Sequence, residues 1–369
     1  MVFLSLLTAA LAAPGYVSDF YIGTYTSPNG SQGIYRAEIN EATGALSEPV
    51  LAVKADNPSF VAVDPTHRYV YAVDEKAPGL VAAYRREANN DLSLLDEQPS
   101  GGSGPCHVSL DARNRTVFVA NYDSGSLEAL KIQADGSLSV PTTVFQNHGK
   151  GPNADRQEGP HLHSAYADPR DRFVYACDLG TDELLVFKLN NASGKLSPTE
   201  QKSARLAPGS GPRHLAFTAD GKRLFVVSEM ACSLTEFNLD GRSGTPTMVA
   251  SLPTLSRPAT PADTAAELLI HPSGKWLYAS TRGANSIAVF GLYADGKLTR
   301  TEIVGAGVKT PRGMAIDPLG RYLIVAGQAS DDLTTFEIDP TSGKLTPTGQ
   351  RVSVPKPVSI AFFSGFKGN

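Results

Sequence analysis

Apolar residues along this chain alternate with period two in short runs, and one arrangement of those runs returns through its length. Each copy has a proline, a small or polar pair, an alternating strand, a turn of Asp-Pro or Asp-Gly type, and a second apolar strand. It reads PSFVAVDPTHRYVYAV from Pro58, PCHVSLDARNRTVFVA from Pro105, PHLHSAYADPRDRFVYAC from Pro160 and PRHLAFTADGKRLFVV from Pro212. Ala265 opens a version without the proline, Pro311 begins PRGMAIDPLGRYLIVA, and PVSIAFF from Pro357 stops after its first strand. The starts fall 46 to 55 residues apart. No long i, i+3, i+4 apolar stripe accompanies them, which argues against helices.

A second marker has the same count. A turn followed by Leu recurs at Gly44, Asn90, Gly136, Gly194, Gly296 and Gly343, with Gly244-Thr245-Pro246 as a degenerate member. Such turns join strands because Gly accepts positive φ. Each unit therefore supplies about four strands, the period of a propeller blade. The chain begins with DFYIGTY and GIYRAEI, strands without a predecessor, and ends with PVSIAFF, a strand without successors. Sharing one blade pairs both open edges. The expectation is an all-β, seven-bladed β-propeller of four-stranded antiparallel blades, closed by its N- and C-terminal strands and spanning residues 19–363 as a single domain. Trp276, the only tryptophan, precedes Leu277, so no Trp-Asp dipeptide ends a blade and a WD40-type scaffold is disfavoured.

Composition narrows the function. The formal charge is −4, with 33 Lys and Arg against 37 Asp and Glu and no basic run, which excludes a nucleic-acid partner. A hydrophobic share of 41% suits a soluble globular protein and gives no membrane span. Residues 1–12 of MVFLSLLTAALAA read as a signal peptide, since Ala10-Leu11-Ala12 has the small-x-small pattern of a cleavage site, although the usual basic segment is lacking. The protein is then secreted, with N-glycans expected at Asn29, Asn114 and Asn191; without cleavage it is cytoplasmic. Cys106, Cys177 and Cys232 lie in or beside apolar stretches and read as small buried side chains.

Function should show where blades depart from the shared pattern. The strongest departure is Arg156-Gln157-Glu158-Gly159-Pro160-His161-Leu162-His163. His161 and His163 are i, i+2, which on a regular strand places both on one face as an acid/base candidate beside a clamp; a metal would need a third ligand from elsewhere. Arg213 follows Pro212 at the place held by Ser59, Cys106 and His161, Arg312 follows Pro311 likewise, and Arg282 ends another strand. Arginines there can hold a carboxylate or phosphate bidentately. The second strands end in Asp74, Asn121, Asp178, Glu229, Arg282 and Gln328, which the repeat puts at similar heights around a pocket mouth. Glu229, outside any Asp-turn, is the best base among them. No Gly-x-Ser-x-Gly elbow, Walker A or dinucleotide fingerprint is present, so the chemistry read here is water attack or proton transfer with no cofactor and no metal.

These residues together resemble the seven-bladed propeller lactonases, which include one class of 6-phosphogluconolactonase and the fungal carboxymuconate cyclases. The resemblance rests on Tyr21-Ile22-Gly23-Thr24-Tyr25-Thr26, Gly104-Pro105-Cys106-His107, Ala120-Asn121-Tyr122, the Arg156 to His163 run, Asp178-Leu179-Gly180-Thr181-Asp182, Gly211-Pro212-Arg213-His214 and Pro311-Arg312. It implies a site at the channel mouth with His163, Arg213, Glu229 and Arg282 as catalytic residues. His161, Arg156, Asp178, Arg312, Gln328 and Asn121 are expected to bind substrate. The implied activity is hydrolysis of a small anionic sugar lactone such as 6-phosphogluconolactone, with His163 or Glu229 activating water while Arg213 and Arg282 hold anionic groups. A carboxy-cis,cis-muconate-type cycloisomerase and a non-catalytic binding propeller are the alternatives.

Overall fold

The computed structural model describes residues 16–293 and 296–363, so the expected signal peptide at 1–12 lies outside the described residues. Among the described residues, twenty-eight strands form seven four-stranded antiparallel sheets. Blade 1 takes its inner strand, Pro357–Phe362, from the end of the chain and its other three from the beginning. The closure pairs Phe20 with Phe362 and Ile22 with Ile360. Blades 2 to 7 follow in order, with inner strands Val61–Val63, Pro105–Leu110, Leu162–Ala167, Pro212–Phe217, Thr264–Ile270 and Pro311–Ile316. These inner strands touch one another around the ring and line its axis.

The recurrent sequence signals each have a structural cause. In four blades the Asp after the inner strand closes the turn. Asp64 Oδ1 accepts the amides of Arg68 and Tyr69 at 2.7 Å, and Asp111 and Asp168 bind the following chain in the same way. Asp317 takes the amide of Arg321 at 2.6 Å. The side chain thus satisfies amides that no strand partner reaches. The glycine of the later turn docks on the preceding blade. Its carbonyl accepts a buried tyrosine hydroxyl: Tyr71 to Gly136 at 3.0 Å, Tyr175 to Gly244 at 2.7 Å, and Tyr278 to Gly343 at 2.9 Å. An aromatic ring lies flush against it, so that a Cβ at Gly343 would come within 2.3 Å of Trp276.

Among the described residues the apolar core divides into seven clusters, one at each interface between adjacent blades. The closing interface, where Phe20 and Ile22 meet Ile324 and Leu333, is built like the others. The three cysteines are buried and free. Of the three sequon asparagines, Asn29 is exposed and Asn114 and Asn191 are half-buried. Asn114 Nδ2 donates to Asp64 at 3.0 Å and Asn191 Nδ2 to the Asp171 carbonyl at 2.7 Å.

Gly343→Ala therefore adds an aromatic clash to the strain of φ +71°, whereas Gly349→Ala, at φ +79° with open space around it, adds the strain alone. We expect about 1 kcal/mol of destabilisation for Gly349→Ala and about 1–3 kcal/mol more for Gly343→Ala, measured by urea unfolding.

Candidate active site

The inner strands open with a β-bulge, and the bulge aims the chemistry. In blade 3, Pro105 pairs with Asn121 and His107 with Ala120, which leaves Cys106 as the extra residue. The same shift leaves His163 in blade 4, Arg213 in blade 5 and Arg312 in blade 7. An extra residue in one strand breaks the alternation of faces. Two sequence expectations are corrected by it. Leu162, and not Pro160, stands where the other blades have proline, so His163 rather than His161 shares the place of Arg213. The two histidines also do not lie on one regular strand face. His161 precedes the strand, donates from Nδ1 to the Tyr122 carbonyl at 2.9 Å, and stacks on the Tyr122 ring at 4.5 Å; its Nε2 lies 3.1 Å from Glu158. His163 meets that ring edge-on at 5.5 Å.

A third correction concerns the second strands. Asp74, Asn121 and Asp178 are in register with Ser228, Thr281 and Gly327, one residue before Glu229, Arg282 and Gln328. A slip of one residue reverses the face, and the true equivalents are Glu75, Tyr122 and Leu179. Asn121 is wholly buried, with its amide donating to the Ser100 carbonyl and to Ser126. Asp178 accepts the amides of His161 and Gly180 and the side chain of Asn147. Both organise loops and neither lines the cavity, and Gln328 does not reach it either.

The cavity at the channel mouth has a volume of about 380 Å³ and takes residues from all seven blades: Tyr25, Glu75, Tyr122, His163, Glu229, Arg282 and Arg312 in ring order. The buried carboxylate of Glu229 in its lining gathers three guanidiniums. Arg156 Nη2 lies 2.7 Å from Oε1, while Arg282 Nη2 at 2.9 Å and Arg213 Nε at 3.1 Å share Oε2. Burial alone would raise the carboxyl pKa, but the guanidiniums of Arg282, Arg213 and Arg156 overcome it and hold it at about 2. Arg156 is delivered by the loop before blade 4, where Gln157 is anchored on the Leu179 carbonyl and Asp182.

Arg213 differs from what its sequence position suggested. It is 2% exposed and sits behind Glu229, its Nη1 donating to the Ala266 carbonyl at 2.6 Å. The same Nη1 lies 3.3 Å from His214 Nε2. A guanidinium can only donate, so His214 Nε2 accepts and Nδ1 carries the proton toward Glu267 Oε1 at 2.8 Å. Glu267, pushed up to about 7 by burial against the pull of Arg213, is the single charge in the apolar strand AAELLI; that isolation was its only sequence signal.

His163 is held well below the ordinary imidazole value, by burial first and then by the charge of Arg213, so it is neutral at pH 7. Its Nε2 lies 3.9 Å from Glu229 Oε2. Cys106 Sγ approaches its Nδ1 at 3.7 Å, yet burial and the Glu75 charge push that thiol up, which keeps it protonated and removes it as a nucleophile. Counting Arg213, four guanidiniums meet three carboxylates, Glu75, Asp123 and Glu229, an excess of one positive charge in a protein of net −4. Among the described residues no three His, Cys, Asp or Glu side chains converge at metal-ligand spacing. Sequence reading missed Tyr25, Glu75 and Tyr122 as cavity residues. Tyr25 and Tyr122 stood in runs already quoted, and placing Glu75 and Tyr122 needed the correct register.

Residues 19–362 match the family model described as lactonase, 7-bladed beta-propeller. The chain is 37% identical to a 6-phosphogluconolactonase of Bacillus subtilis over 93% of its own length and 97% of the relative's. It is 30% identical to a 6-phosphogluconolactonase of Formosa agariphila, covering 93% and 99%. Among solved structures, the periplasmic gluconolactonase of Pseudomonas aeruginosa superposes with a TM-score of 0.88 at 28% identity, covering 94% and 99%.

Removing the Glu229 charge strands three guanidiniums around a neutral amide. Glu229→Gln should destabilise the fold by about 3–5 kcal/mol, measured by urea unfolding at pH 7. The carboxyl is depressed in the folded state, so its stabilisation is complete above its ordinary 4.5 and is lost as pH falls toward about 2. Glu229→Gln should flatten the pH dependence of stability in that window.

Proposed function

The chain belongs to the seven-bladed β-propeller lactonase family and is a lactonase, an ester hydrolase of the carboxylic type; we propose that it opens a sugar lactone, 6-phosphoglucono-δ-lactone or a related aldonolactone, to the free aldonate. The observation that carries this reading is the neutral, buried His163 set beside a carboxylate already saturated by guanidiniums.

In the proposed reaction water attacks the lactone carbonyl carbon and His163 takes its proton. Glu229 is the weaker candidate base, because three guanidiniums occupy its oxygens and hold its basicity low. Its negative charge stabilises the imidazolium that forms at His163. Negative charge develops on the carbonyl oxygen at the same moment, and Arg156 and Arg282, which line the cavity, supply donors for it. The C–O bond to the ring oxygen then breaks, and His163 returns the proton to that oxygen as it becomes a hydroxyl. Arg213 acts through Glu229 as a positioning residue, with His214 and Glu267 setting its orientation. The expected role of Arg213 as a direct substrate clamp passes to Arg156 in this scheme. Tyr122, held between His161 and Arg156, forms an adjoining wall.

His163→Gln should lower kcat about 10²–10⁴-fold on whichever lactone the wild type opens, measured by pH-stat with the spontaneous rate subtracted. A variant as fast as wild type would overturn the assignment. Since the His163 pKa lies well below 6.5, the base is unprotonated on both sides of that pH. The enzymatic kcat/KM should therefore show no imidazole-like fall as pH is lowered through 6.5.

A further inference from the structure

Three of the four guanidiniums around the cavity are committed to one carboxylate, each within 3.1 Å of Glu229. Arg312 is not. Among the described residues no carboxylate lies within ion-pair distance of it. Its Nη2 donates to the Tyr25 hydroxyl at 2.8 Å, and its guanidinium lies over the Tyr25 ring at 5.3 Å. Tyr25 in turn faces both oxygens of Glu75 at 2.9 Å, and Ser59 also donates to Glu75. A phenol has one proton. With it given to Glu75, the Tyr25 oxygen is left to accept from Arg312, and Glu75 orients the tyrosine without neutralising the arginine directly.

The placement of this group is as informative as its partners. Arg312, Tyr25 and Glu75 come from blades 7, 1 and 2, whereas His163, Glu229 and Arg282 come from blades 4, 5 and 6. The two sets occupy different arcs of one mouth, which meet where blade 6 adjoins blade 7, and Arg312 lies three blades round from His163. A half-buried guanidinium has lost hydration and keeps further N–H donors in a planar fork that matches the oxygens of phosphate or carboxylate. A lactone whose carbonyl lies against the His163 arc would present the far end of its carbon chain to the Arg312 arc.

We infer that Arg312, oriented by Tyr25 and Glu75, is a second anion subsite that receives an anionic substituent carried away from the lactone ring, a phosphate monoester or a carboxylate. It thereby sets the preference between charged and neutral lactones. This rests on the lactone reading for the identity of the molecule that bears the substituent. The geometry also separates two tasks: the three guanidiniums of the Glu229 cluster are each engaged by that carboxylate and serve the reacting carbonyl, and Arg312 discriminates among substrates.

The test compares kcat/KM on 6-phosphoglucono-δ-lactone, glucono-δ-lactone and glucaro-1,4-lactone, and measures inorganic phosphate binding by calorimetry, for wild type, Arg312→Gln and Arg312→Lys. Arg312→Gln should lower the ratio of charged to neutral lactone by at least about tenfold and weaken phosphate binding by a similar factor. Arg312→Lys, which keeps the charge without the fork, should recover part of both. The charged lactone that loses more identifies the substituent. Unchanged ratios, or phosphate bound by Arg312→Gln as tightly as by wild type, would overturn the subsite. If the wild type opens none of the lactones above the spontaneous rate, the lactone reading fails instead, and phosphate calorimetry still decides the role of Arg312.

Discussion

A single extra residue at the axial end of the inner strands is the constraint on which the site depends. Six of the seven inner strands carry such a register shift. A regular strand would send alternate side chains into the interfaces between blades, which are apolar and packed. The bulge frees one side chain per blade from that alternation and turns it toward the channel. Cys106, His163, Arg213 and Arg312 all stand there, so chemically different residues occupy equivalent places on a nearly symmetric ring. The ring thus presents a different side chain from each of these blades at one equivalent place, beside the second-strand ends that bring Glu75, Tyr122, Glu229 and Arg282.

The charge cluster around Glu229 is the second consequence. Burying a carboxylate is costly unless the lost hydration is replaced, and three guanidiniums from blades 4, 5 and 6 replace it. The arginines need the carboxylate equally, since their own burial lowers Arg213 and Arg282 from the ordinary guanidinium range. This mutual dependence fixes the geometry of three blades at the mouth without any covalent tie. It also lowers the basicity of Glu229, and the uncharged imidazole of His163 stands beside it. Behind the cluster, Glu267 and His214 hold Arg213 by a hydrogen-bond chain whose direction follows from the inability of a guanidinium to accept.

The ring itself was readable in the chain. Asp at the inner turn, aromatic residues on the second strand and Gly at the outer turn are local signals, and each performs in space the task its spacing suggests. Arg156, His163, Glu229, Arg282 and Arg312 were also legible, because polar residues stand out against a repeat that is otherwise apolar. Asn121 and Asp178 misled for a physical reason. They end their strands in sequence as Glu229 nearly does, but one residue of offset turns them into loop supports. The same offset concealed Glu75 and Tyr122.

By itself the sequence determined the number of blades, their four-stranded build and the closure of the ring, because those follow from periodicity and from edge strands that must find partners. It also carried the set of charged residues from which the site is drawn. Only the tertiary structure decided which of them share the cavity. The bulges shift register by one residue, and a period-two pattern read along the chain cannot reveal such a shift. Nor could the chain show that Arg213 lies behind Glu229 while Arg312 is held by a phenol across the mouth. The first pairing lies within blade 5 and the second joins blades 7 and 1, and the energies of both depend on distances that exist only in the folded ring.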